Sequence, residues 1–124
     1  MEKVRLFVAI PLPDSLLEKL ADVQYRLQGK VAPGMVRWVG AEGIHLTLKF
    51  LGDTPRDRLP TIREALSVVA RNAPACALAA EGLGCFPNKR RPRVLWVGVS
   101  EATGRLEALQ RAIEEAMTGL GYRP

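Results

Sequence analysis

Apolar and polar residues alternate at the start of the chain, with Val4, Leu6, Val8 and Ile10 on one side and Arg5, Phe7 and Ala9 on the other. That period of two predicts a half-buried strand over residues 4–10, ended by Pro11 and Pro13. The period then lengthens. Leu16, Leu20, Val23 and Leu27 form one helical stripe running to Gly29, and Ser15 with Glu18 has the spacing of a capping box, so a helix is predicted over 15–28. Strands are predicted at 35–39 and 44–51, joined by Gly40-Ala41-Glu42-Gly43, a connection short enough for antiparallel neighbours. Leu59, Ile62, Leu66 and Val69 mark a second helix, with Pro60 in its first turn, where the missing amide is not needed, and with Asn72 and Pro74 closing it. Residues 94–99 are β-branched and apolar enough for a buried strand. Leu106, Leu109, Ile113 and Met117 stripe a third helix that ends around Gly119. Strands and helices mixed in this way, with short β-to-β connections, predict an α+β fold with an antiparallel sheet in preference to a doubly wound parallel one.

Composition narrows the class. At 124 residues and 48% hydrophobic content the chain suits a single domain, 1–124, with a small core and no compositional linker. No apolar run approaches the roughly 20 residues needed to span a bilayer, and the N-terminus reads as a strand, so no membrane is implied and a cytoplasmic location is expected. Cys76 and Cys85 form neither a C-x-x-C pair nor, with one histidine, a zinc site, and are expected to be reduced structural thiols. The formal charge is +5, and Lys89, Arg90, Arg91 and Arg93 crowd one Pro-bounded loop. Such a run is either a solvated turn or an electrostatic contact for a polyanion.

The densest chemistry lies in Gly43-Ile44-His45-Leu46-Thr47-Leu48-Lys49-Phe50-Leu51-Gly52-Asp53. In a strand His45 and Thr47 share a face, presenting an imidazole beside a hydroxyl, a pairing suited to phosphate. Leu46, Leu48 and Phe50 are expected on the opposite, core-facing side. Lys49 joins the polar face, either as a cationic contact or as an exposed solubilising residue. An isolated histidine is by itself weak evidence of catalysis.

The segment His-Leu-Thr-Leu-Lys-Phe-Leu-Gly-Asp resembles the first signature of the 2H phosphoesterases, in the branch of the 2'-5' RNA ligases or RNA 2',3'-cyclic phosphodiesterases. Arg5-Leu6-Phe7-Val8-Ala9-Ile10, Val36-Arg37-Trp38-Val39, Gly82-Leu83-Gly84-Cys85-Phe86-Pro87 and Arg91-Pro92-Arg93-Val94-Leu95-Trp96 agree in order, so the resemblance covers nearly the whole chain. It also implies a strand over 76–81, where the alanine-rich sequence is ambiguous. The implied fold is bilobal, each lobe an antiparallel sheet flanked by helices. The implied reaction is hydrolysis of a 2',3'-cyclic phosphate at an RNA end to a 2'-phosphate, needing no metal or cofactor, with 2'-5' ligation as a further activity of some members. His45 is then one of two imidazoles dividing acid and base roles, and is assigned the acid. Thr47 donates to a non-bridging phosphate oxygen. Phe7, Lys49, Arg91 and Arg93 are substrate-binding candidates, Phe7 by base stacking if it is not core. Trp38 and Trp96 read as core or lobe-interface residues.

The sequence departs from that family in one respect. Members carry two His-x-Thr/Ser motifs, whereas this one has a single histidine and ends in Gly121-Tyr122-Arg123-Pro124, which resembles the loop leading into the second motif. The fold is therefore expected to be incomplete at the C-terminus. A complete member is expected to be monomeric, and a chain lacking the closing strands to self-associate through open edges. Two alternatives follow from the lone histidine. One is a non-catalytic module that binds RNA ends or nucleotide phosphates. The other is a twofold dimer that brings two copies of His45 together.

Overall fold

The computed structural model describes residues 2–40, 43–86 and 88–124. In chain order these form β1 (Lys3–Pro11), α1 (Asp14–Gln28), β2 (His45–Pro55), a short 3-10 turn (Arg56–Arg58), α2 (Leu59–Arg71), β3 (Ala79–Phe86), β4 (Val94–Ser100) and α3 (Arg105–Gly119). They belong to two compact units. The first comprises Met1–Ile10, Thr47–Ala77 and Glu101–Pro124, and the second Pro11–Leu46 and Leu78–Ser100. Among the described residues no helix is long and apolar enough to cross a membrane.

In the first unit β1 pairs with β2 in a two-stranded sheet. The Arg56 amide donates to the Glu2 carbonyl at 3.1 Å, and the Arg56 guanidinium meets the Glu2 carboxylate at 2.7 Å, so the start of β1 lies beside the end of β2 as in antiparallel neighbours. The core is built from Ile62 of α2 with Ile113 and Met117 of α3, against which Leu6, Val8, Leu48, Leu51 and Leu66 pack. Apart from Leu51 these belong to the apolar faces read from the sequence, and each side chain buried completely contributes about 1.5–3 kcal/mol. Pro60 lies in the first turn of α2, as expected.

In the second unit β3 and β4 form an antiparallel hairpin. Its register shifts between Glu81 and Leu83, where Gly82 takes a left-handed φ of 78°, a backbone that a side chain would strain. This bulge places Leu83 opposite Val97 and Gly84 opposite Trp96.

Five sequence expectations are corrected. Residues 35–39 form no strand. They follow Pro33-Gly34 as irregular backbone, and the Val39 carbonyl accepts from the Gln24 side chain of α1 at 2.8 Å, so β2 pairs with β1 instead. The strand expected at 76–81 begins at Ala79 and runs to Phe86, because the Gly82 bulge lets a glycine-rich segment continue a ladder. The capping box of Ser15 and Glu18 is absent: α1 starts at Asp14 behind Pro13, with no side-chain cap. Phe50 is 76% exposed instead of core-facing, and Lys49 is buried instead of exposed. The expected connection at 40–43 includes Ala41 and Glu42, which lie outside the described residues, as does Pro87 of the glycine-rich motif.

Candidate active site

His45 is the first residue of β2, exposed at the wall of a cavity of about 490 Å³ in the second unit. Apolar side chains of α1, among them Leu20 and Leu27, form one side of this cavity, and residues 36–39 and 93–97 form much of the rest. Two guanidiniums, Arg37 and Arg93, and two indoles, Trp38 and Trp96, share it with His45. An apolar enclosure with a few convergent cations is the usual character of a ligand pocket, and guanidinium is permanently charged and shaped to grip phosphate oxygens. The cavity therefore joins a group able to move a proton with two groups able to hold an anion.

Local sequence explains how the cations are presented. The Asn88 carboxamide oxygen accepts the amides of Arg90 and Arg91 at 3.0 and 2.9 Å, an Asx-type turn that shapes the basic loop. The Arg93 amide then donates to the Phe86 carbonyl at 2.8 Å, closing the β3–β4 ladder. Arg93 consequently enters β4 at the cavity, whereas Arg91 stays on the exposed loop.

Thr47, two residues after His45 in β2, is half-buried, belongs to the first unit and is not among the residues that line the cavity. Lys49 and Phe7 belong to the first unit as well. The Lys49 ammonium is buried between both Glu114 carboxylate oxygens, at 3.0 and 3.1 Å, and the Arg123 carbonyl at 2.6 Å. The exposed lysine expected from the sequence is thus an internal ion pair. Phe7 is half-exposed and tilts against Phe50, with ring centroids 6.3 Å apart.

Sequence reasoning missed Arg37 and set aside both tryptophans. Trp96 is 52% exposed, so the core reading does not hold for it. The available signal was the repeated pairing of an arginine with a nearby tryptophan, Arg37-Trp38 and Arg93 to Trp96, in two of the family-like segments.

A family model described as LigT like Phosphoesterase matches residues 10–96, well over half of the chain. The chain belongs to the LigT-like phosphoesterases. An Archaeoglobus fulgidus protein named RNA 2',3'-cyclic phosphodiesterase is 38% identical over 120 residues, which cover 97% of this chain and 65% of that protein. Crystal structures of Escherichia coli LigT are similar in fold at 29% identity. The apo form has a TM-score of 0.72 and covers 100% of this chain and 68% of LigT, and the complex with 3'-AMP has a TM-score of 0.71 and covers 99% and 68%. This LigT-like chain thus spans just under two thirds of the length of the archaeal relative.

Proposed function

We propose that this protein is an RNA 2',3'-cyclic phosphodiesterase, opening the cyclic phosphate at an RNA end to a 2'-phosphate. The observation that carries the reading is His45 on the wall of a cavity that also holds Arg37 and Arg93, in a chain whose relatives bear that name. Water attacks phosphorus, the bond from phosphorus to the 3' oxygen breaks, and the His45 imidazolium gives its proton to that leaving oxygen. The proton of the attacking water passes to a base, for which the resemblance implies a second imidazole from a facing His-x-Thr/Ser motif. Thr47 donates to a non-bridging oxygen as charge accumulates there, and Arg93 offsets the charge of the bound diester. No metal takes part, and a 5'-hydroxyl attacking phosphorus in place of water, with the same bond to the 3' oxygen breaking, joins two ends through a 2'-5' linkage.

The test is to supply a 2',3'-cyclic phosphate oligonucleotide with excess chelator and to identify the product. The expected product is the 2'-phosphate, and His45→Ala should reduce turnover by roughly 100-fold or more. Turnover preserved in His45→Ala would end the proposal, and turnover abolished by the chelator would end its metal-free form. A second reading, RNA-end binding without turnover, is favoured by one observation, that His45 is the only histidine of the sequence. It predicts salt-sensitive affinity, weakened when Arg91 and Arg93 become alanine, with no product formed.

A further inference from the structure

We infer that Trp96 is the surface on which this site stacks the nucleobase of the terminal nucleotide. The inference rests on the nucleotide-binding reading above and adds to it the part of the substrate that the phosphate chemistry leaves unrecognised.

The hairpin is built around the indole. Trp96 lies opposite Gly84 in the β3–β4 register, and a Cβ placed on Gly84 would fall 1.9 Å from Trp96 Cζ2 and 2.2 Å from Cε2. A side chain at that position would displace the ring. Gly98, two residues along the same strand, is required by the backbone instead: its added Cβ would lie 2.7 Å from the Glu81 carbonyl oxygen, and only at ordinary contact distance, 3.8 Å, from Trp96 Cζ3. The ring therefore lies low over a patch of bare backbone instead of standing away from the sheet. Protection of a glycine in a ladder accounts for the covered side of the ring. It does not account for the rest, which leaves the residue 52% exposed beside the cavity of His45 and Arg93.

An aromatic surface next to cations is the arrangement that recognises unpaired nucleic-acid ends. Cations take the backbone phosphate, and the ring stacks any base, because every base has a π-face. Trp96 also borders the neighbouring cavity of about 380 Å³, which Lys89 helps to line. Recognition by stacking tolerates purines and pyrimidines alike. Trp96 is thus a positioning residue: it holds the base so that the ribose phosphate meets His45.

The chain has two tryptophans, so Trp38→Phe leaves Trp96 as the sole indole reporter. Titrating that protein with 2',3'-cyclic AMP should quench its fluorescence, whereas ribose 2',3'-cyclic phosphate, which lacks a base, should not. Against the wild type, Trp96→Leu should weaken cyclic AMP binding by about tenfold or more and leave the base-free ligand unaffected, and Trp96→Tyr should recover most of the loss. Equal affinity for cyclic AMP in wild type and Trp96→Leu, or no quenching at saturation, overturns the inference. If Trp96→Leu does not fold, the quenching result decides alone. Hydrolysis without dependence on Trp96 would refute the stacking and spare the activity. Quenching without a 2'-phosphate product would do the reverse, and binding of neither ligand would refute both.

Discussion

The Lys49 ammonium is tolerated inside the first unit because three oxygens surround it, two from Glu114 and one from the Arg123 carbonyl. A buried charge that loses its partner is expensive, whereas a pair replaced together by apolar groups can be nearly neutral. Glu114→Ala is therefore expected to destabilise the fold by about 3 kcal/mol. The double variant Lys49→Met with Glu114→Leu should lie much closer to wild type. Urea denaturation checks both, and a double variant as unstable as Glu114→Ala would remove the electrostatic explanation. At this scale the sequence was partly legible. His45 and Arg93 were singled out from it, and both line one cavity. The exposure of Lys49 and of Phe50 was misread because alternation reports which residues share a face, not what that face meets. Here Lys49 meets a carboxylate 65 residues away, and Phe50 meets Phe7.

At the scale of elements, α3 shows how a terminus is made without the usual cap. Its N-cap position is Gly104, at a left-handed φ of 83°, and no side-chain cap comes from that residue. The Glu101 carboxylate takes the role from three residues earlier, accepting the Thr103 hydroxyl, the Thr103 amide at 3.0 Å and the Leu106 amide at 3.2 Å. Foremost the Thr103 hydroxyl, and then these amides, hold the Glu101 carboxyl at about 2, below its ordinary 4.5. Because the folded value is the lower one, the stabilisation is fully present above 4.5 and is lost as the pH falls through about 2. The stability difference between wild type and Glu101→Gln should accordingly narrow across that window, read from denaturation midpoints at successive pH values. A constant difference would show that the cap does not titrate. Helices α2 and α3 were legible from their stripes, since a period of 3.6 with apolar residues on one side is a local property. The continuation of β3 to Phe86 was not, because the Gly82 bulge that continues the ladder depends on β4.

At the scale of the molecule, each unit needs segments from distant parts of the chain, and the first is held by three side chains at the meeting of α2 and α3. Met117 is fully buried there, so Met117→Ala should cost about 2–5 kcal/mol through lost transfer energy and the cavity left behind. A change below 1 kcal/mol in the denaturation midpoint analysis would mean that the core collapses to fill the space. The sequence alone determined β1, β4, the helical stripes and the His-x-Thr strand, because periodicity and motif spacing are written in neighbouring residues. Tertiary structure decided that β2 pairs with β1 and not with residues 35–39, that Lys49 turns inward, and that Arg37, Trp38 and Trp96 share a cavity with His45. Those outcomes depend on partners dozens of residues away, whose positions no local pattern encodes.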